Sequence, residues 1–254
     1  MKYNRICVLD TETTDRYWNT CAPVQIAAVI CDNKGNIIDS FNERIKTTHK
    51  INPDASAVHG IYAKDLENCR GEIAVLTDFC VWMKNQEVDC VLTYNGEAFD
   101  RRMLNARCEK LGINYDYFNK EKFPGIDGYY DCIIEAKRKN MWGLKDKLGR
   151  KWRLSLVAEI LGFDTTGAHD ALADVLMLKN IFFFVLMTTI IASFNVYGQP
   201  RLMTQGGPGD LTINLPLYLY KTSMTDNNYG YANMMGVVLI VAALLMYRTR
   251  HLET

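Results

Sequence analysis

The chain has 254 residues with 29 Lys and Arg against 29 Asp and Glu, so its formal net charge is zero and any basic surface must be local. With 48% hydrophobic and 23% charged residues it can bury a substantial core, which excludes wholesale disorder and collagen-like or small disulfide-stapled classes. The charge is unevenly spread, because residues 180–254 hold only seven of the 58 charged side chains, and two different solvents are implied.

Residues 4–10, NRICVLD, predict a buried strand, followed by strands over 24–31 and 36–45 joined by an Asp32-Asn33-Lys34-Gly35 turn. Residues 56–60 and 62–68 predict short helical turns. Over 72–87 the apolar Ile73, Leu76, Phe79, Cys80 and Met83 recur at helical spacing. A strand at 88–95 precedes a helix from about Ala98 to Leu111, with Gly112 as its C-terminal cap. Further helices are expected at 131–139 and 154–161, and a last one opens near His169. Strands first and alternating helices later predict an α/β fold around one mixed sheet.

All eight cysteines fall in the first 132 residues with no C-x-x-C pair, which suggests buried thiols in a reducing cytosol and argues against a zinc site. The N-terminus reaches Asp10 too early for a secretory apolar core, so a cytoplasmic first domain is expected.

Asp10 and Glu12 end the first strand within DTETT, where alternation puts both side chains on one face about 7 Å apart, a separation that lets two carboxylates share a divalent ion. Asp100 stands in YNGEAFD, where Phe99 can seat in the core and fix the acid's direction. His169 and Asp174 stand in AHDALAD. Five residues are one and a half helical turns, so the histidine is expected at a flexible helix start beside Gly167, with Asp174 inside the helix. Four acids and one histidine at strand and helix ends form the inventory of a two-metal phosphodiesterase.

In the order DTETT, NGEAFDRRML, AHDALAD, residues 3–179 resemble the DEDDh (DnaQ-like) family of 3′-to-5′ exonucleases, whose ribonuclease-H-like fold is therefore expected over residues 1–179. The resemblance implies Asp10, Glu12, Asp100 and Asp174 as metal-binding acids for two Mg²⁺ or Mn²⁺ ions, with His169 as general base, and nucleoside 5′-monophosphates as products. It implies substrate contacts at Thr11, Thr13, His59 (in VHGI), Asn95 and Phe99; His59 could equally be structural. Asp170 departs from a family that often has Arg there, and is expected to face solvent, as is one of Arg101 and Arg102. A nucleic-acid 3′ end is the expected partner, single-stranded and with DNA favoured, in proofreading or repair. No polymerase partner is identified.

Between Lys137 and Arg153 eight basic residues face Asp146 alone. A solvated helical face would explain them. A phosphate-tracking surface is preferred, with Lys145, Lys147 and Lys151 on phosphates and Trp142 and Trp152 as stacking rings.

The uncharged runs 180–200 and 229–247 each approach the roughly 20 residues that span a bilayer. The first, with Thr188, Thr189, Ser193 and Asn195, could instead be a core helix, whereas GVVLIVAALLMY in the second reads as a membrane helix. Lys179, Arg248 and Arg250 would put both ends in the cytoplasm, tethering the nuclease to the inner face. Residues 182–247, through MTQGGPG and YGYA, resemble the C-terminal part of sugar-type ABC transporter permeases, so 180–254 is expected to be a two-helix permease-like fragment fused to the nuclease. The competing reading is a membrane-transport permease fragment joined to a nucleic-acid-binding domain without turnover.

Overall fold

The computed structural model describes residues 3–113, 128–139, 144–149, 152–194 and 196–251. The strands are β1 (Ile6–Thr13), β2 (Pro23–Cys31), β3 (Ile37–Lys46), β4 (Arg70–Gly71), β5 (Cys90–Thr93) and β6 (Gly128–Asp131), which form one sheet in the order β4-β3-β2-β1-β5-β6. The helices of the first part are α1 (Pro53–His59), α2 (Glu72–Asn85), α3 (Asp100–Leu111), α4 (Cys132–Lys139), α5 (Leu144–Leu148) and α6 (Leu154–Ile160). A short 3₁₀ turn spans Ala63–Leu66, and α7 is Ala171–Phe194.

The ICVL of β1 is fully buried, and so is every residue of β2, because helices cover both faces of the central strands. β1–β2 and β2–β3 pair antiparallel as meanders, while β5 and β6 return parallel to β1 through helical crossovers. The Asp32 carboxylate accepts the N–H groups of Lys34 at 2.8 Å and Asn36 at 2.9 Å, and Gly35 takes φ 93°, which closes the β2–β3 turn where the sequence places it. At the other end of β1 the register with β2 slips between Glu12 and Thr13, a bulge that ends the pairing just beyond the two acids.

α2 lays Val75, Leu76, Phe79, Cys80 and Met83 on the sheet. The ring of Phe79 meets Phe41 of β3 at 5.2 Å and Trp82 at 5.9 Å between centroids, and the Trp82 indole N–H donates to Asp39 at 2.9 Å. Such a buried aromatic contributes about 1.5–3 kcal/mol by burial alone. Ile73, expected on this face, is exposed, and Val75 takes the inward position. α3 ends in left-handed Gly112 at φ 67°, with Ile113 N–H returned to Cys108 O at 2.9 Å, the expected glycine cap. Arg107 on α3 is buried in a bidentate ion pair with Glu72 of α2, which locks the two helices together.

The chain divides into two units between Phe182 and Phe183, inside α7, which continues unbroken through both phenylalanines. The second unit contains α8 (Gly198–Met203), α9 (Leu215–Tyr220), a single π-helical turn over Lys221–Thr225 and α10 (Tyr229–His251). Asn214 caps α9 by accepting Leu217 N–H at 3.1 Å, and the Thr204 and Thr212 hydroxyls meet at 2.6 Å across the GGPG loop. Leu217, Thr222, Ala232 and Met235 form its interior. The outer face of α10 leaves Met234, Val237, Val238, Ile240 and Val241 exposed.

Candidate active site

β1 emerges from the buried centre of the sheet and delivers Asp10 and Glu12 to its carboxyl end. The carboxylate oxygens of Asp10, Glu12 and Asp174 lie within 4.8 Å of one another. Asp174 arrives from the first turn of α7, and that helix is held over the sheet by Asp170. The Asp170 carboxylate accepts Leu172 N–H at 3.1 Å and Ala173 N–H at 3.3 Å, which makes it the cap of α7, and its second oxygen takes the amide of buried Gln25 at 3.3 Å. Gln25 sits opposite Glu12 in β2, so this bond ties the start of α7 to the strand beside the acids. The expectation that Asp170 faces solvent is thereby corrected: helix capping and Gln25 use both its oxygens.

Asp100 opens α3 and is buried. Thr11, between the two acids of β1, donates its hydroxyl to Asp100. The buried hydroxyl of Thr13 donates to Asp15 O at 2.8 Å. In both residues the hydroxyl is engaged within the protein, Thr11 with the acid that opens α3 and Thr13 with the loop that follows β1. His59 also turns inward, with its Nε2 meeting Thr13 O at 3.2 Å and its Nδ1 accepting Ile61 N–H at 3.0 Å. Both ring nitrogens have partners within the protein, and burial holds the His59 pKa below the usual value. Phe99 packs partly buried against the core, as its place beside Asp100 implies.

Burial and the mutual repulsion of the acids dominate the electrostatics of the site. Burial pushes Asp10 well above the ordinary carboxylate range, and the charges of Asp100, Glu12 and Asp174 add to it. Glu12 is pushed up to about 8 by burial, with Asp174, Asp100 and Asp170 raising it further. Asp100 rises to about 6, again by burial, with the Thr11 hydroxyl opposing. Buried carboxylates that repel one another fit a hard divalent cation, which takes oxygen ligands. Asp10, Glu12 and Asp174 would hold one, and Asp100 adds the fourth carboxylate.

His169 takes φ 75° after Gly167 at φ 81°, outside the helix, so the five-residue spacing to Asp174 does not place the two on opposite faces. Its N–H donates to the Asp174 carboxylate at 3.3 Å, and the residue is exposed. It lines a cavity of about 440 Å³ together with Asp10, Asp174, Tyr94, Asn95, Lys137 and Trp152. Trp152 carries the Lys137 ammonium 5.8 Å from its ring centroid, and Tyr94 donates to Trp152 O at 3.1 Å. Lys147 lies exposed on α5, which also carries Lys145; Lys151 and Trp142 lie outside the described residues. Arg101 pairs with Glu97 at 2.8 Å, whereas Arg102 is exposed, in line with one arginine facing solvent.

Sequence reasoning missed Asp131. This buried acid ends β6 and accepts three backbone N–H groups, from Asn95 at 2.8 Å, Glu97 at 3.1 Å and Ile133 at 3.2 Å. It thereby pins the loop that leads into Asp100.

The family model described as Exonuclease (RNase T type) matches residues 7–182. The epsilon subunit of DNA polymerase III from Buchnera aphidicola is 26% identical over 197 residues, covering 73% of this chain and 75% of that protein. The solved nuclease domain of 3′hExo, described as a DEDDh family member bound to rAMP, superposes with a TM-score of 0.58 at 19% identity, covering 74% of this chain and 94% of that one. The tail is similar to the probable ABC transporter permease protein YurN of Bacillus subtilis, 31% identical over 68 residues, which are 27% of this chain and 23% of that protein. The chain spans 23%, 15% and 11% of the length of the first curated relatives it matches. With the match over residues 7–182 and the mixed sheet that presents the acids, the chain belongs to the RNase T-type exonuclease family and carries that family's hydrolase domain.

Proposed function

We propose that the unit ending at Phe182 hydrolyses the terminal phosphodiester at the 3′ end of a single-stranded nucleic acid, with DNA favoured, and releases nucleoside 5′-monophosphates. The observation that carries this reading is the convergence of Asp10, Glu12 and Asp174 beside a cavity lined by Asp10, Asp174 and His169, with Asp100 bonded to Thr11 between the two acids of β1. Two divalent ions, Mg²⁺ or Mn²⁺, held by the four acids would supply neutralising charge and lower the pKa of water. Asp10, Glu12, Asp100 and Asp174 hold the site's negative charge on fixed backbone, so little reorganisation is needed during reaction. His169 accepts the proton of the attacking water on a ring nitrogen and passes it to solvent, to which it is exposed. A cavity of about 440 Å³ suits one nucleotide, which favours a frayed strand over a duplex. Asn95 and Trp152 contact that nucleotide, and the basic residues from Lys137 to Arg153, Lys145, Lys147 and Lys151 among them, track phosphates. The polarity is tested with the full chain on single strands labelled at the 5′ end. Stepwise shortening from the 3′ end, stopped by a 3′-phosphate block, supports the reading, and release of the 5′ nucleotide first overturns it.

The unit that begins at Phe183 is proposed to be a permease-like fragment that holds the chain at the inner face of a membrane. The exposed apolar face of α10 and the similarity to the permease support this. Among the described residues one helix segment, Ala171–Thr189, is long and apolar enough to cross a bilayer, and Tyr229–Val241 is a shorter apolar helix. The first segment contains Asp174 and Lys179, so its opening turns belong to the acid site in water and anchoring falls to the residues beyond Asn180 and to α10. Co-sedimentation of the full chain with liposomes checks this; a chain that stays monomeric in the supernatant contradicts it.

A further inference from the structure

The loop between β1 and β2 turns two aromatic rings outward, Tyr17 at 53% exposure and Trp18 at 38%, six residues and fewer after Glu12. Its backbone is fixed. Thr14 N–H donates to Ala22 O at 2.9 Å, Ala22 N–H returns to the Thr14 hydroxyl at 3.0 Å, and the N–H groups of Thr20 and Cys21 converge on Tyr17 O at 3.1 and 3.0 Å. Large rings on a rigid exposed loop lose little entropy when something stacks on them.

Each ring carries a guanidinium. Arg16 lies 5.0 Å from the Tyr17 centroid and donates to its hydroxyl at 2.9 Å. Arg102, two residues into α3 from Asp100, lies 5.8 Å from the Trp18 centroid. The one carboxylate in this stretch of loop, Asp15, turns back to accept Arg16 N–H at 2.7 Å. Aromatic faces that suit any base, beside cations that suit phosphate, are what a sequence-tolerant single-strand surface requires. The two elements that present them, the end of β1 and the start of α3, also deliver Asp10, Glu12 and Asp100.

We propose that Trp18 and Tyr17, with Arg102 and Arg16, form a stacking platform for the bases of the strand that lie upstream of the scissile phosphate. The proposal rests on the nuclease reading of the acid site and adds to it the residues that favour long single strands over short ones.

The test compares the full chain with its Trp18→Ala and Trp18→Phe variants. The quantity read is kcat/KM for a single-stranded oligonucleotide divided by kcat/KM for a dinucleotide, which has a single base upstream of the scissile phosphate and leaves the rest of the platform empty. The ratio falls about ten- to a hundred-fold in Trp18→Ala and is largely restored in Trp18→Phe. An unchanged ratio, including equal losses on both substrates, overturns the platform. Tyr17→Ala, on a ring at the loop's outer edge, gives the same readout if Trp18→Ala fails to fold. Equilibrium binding of the same oligonucleotide with Ca²⁺ present separates the two claims. A wild-type chain that hydrolyses neither substrate fails the nuclease reading, while weaker binding by Trp18→Ala still supports the platform and equal binding overturns it.

Discussion

The Asp131 carboxylate accepts the N–H of Asn95 at 2.8 Å, and Asn95 stands in the left-handed region at φ 66°. That bond fixes the bend by which the chain leaves β5 and enters α3 at Asp100. Asp131→Asn keeps the size but turns an amide NH₂ toward one of the N–H groups it must accept, and each buried N–H left unpaired costs about 1–3 kcal/mol. A lower thermal midpoint and a fall in turnover greater than the fall in folded fraction are expected. Circular dichroism melts and kinetics on the same samples check it, and unaltered turnover would remove Asp131 from the support of the site.

The acids themselves oppose folding when no metal is bound. Glu12 at about 8 lies above its unfolded value of about 4.5, with burial the main cause and the aspartate charges next. A carboxyl raised in this way favours the folded state while protonated. Its contribution is full below the unfolded value and is lost as pH rises through about 8. The thermal midpoint of the chelated chain should therefore decline over that window, with Asp10 adding in the same direction. Saturating Mg²⁺ or the Glu12→Gln substitution should flatten the decline, and a flat profile in the chelated wild-type chain would speak against mutual repulsion at this site.

His169→Ala should lower turnover by about 10²–10⁴ and flatten the acid limb of the pH–rate profile, while divalent-ion affinity changes little. Paired rate and calorimetric titrations separate those quantities. Retention of the full rate at neutral pH would remove His169 as the base.

Much of this site is legible in the sequence because its parts sit at punctuated ends of regular elements. ICVLD is too apolar to be anything but a central strand, so the acids that follow must emerge at its end, and Gly112 marks where the Asp100 helix stops. The hidden parts are bonds to the backbone. Asp131 works on N–H groups of Asn95, Glu97 and Ile133, and Asp170 on those of Leu172 and Ala173, none of which a side-chain pattern displays. The resemblance offers Thr11 and Thr13 only as substrate contacts, and their hydroxyl bonds to Asp100 and Asp15 O are likewise invisible in the pattern. Helical periodicity also misplaces Ile73, which is exposed while Val75 of the same turn is buried in the core.

Removal of residues 183–254 should convert the chain from liposome-bound to soluble without loss of the acid site, since the boundary between units falls after Phe182. Ending at Lys179 instead would strip Ile181, which is buried, and should lower the thermal midpoint relative to the longer cut. Sedimentation and melts of both truncations check the pair of expectations, and equal melts would show that the last turn adds nothing to the nuclease unit.

Single-turnover hydrolysis of a 3′-labelled single-stranded DNA by the full chain, run with Mg²⁺ and again after chelation, bears most directly on the four-acid site. Release of labelled 5′-mononucleotide with Mg²⁺, its loss on chelation and its loss in Asp10→Asn are the predicted results. Hydrolysis that survives chelation, or an Asp10→Asn chain as fast as the wild type, would contradict it.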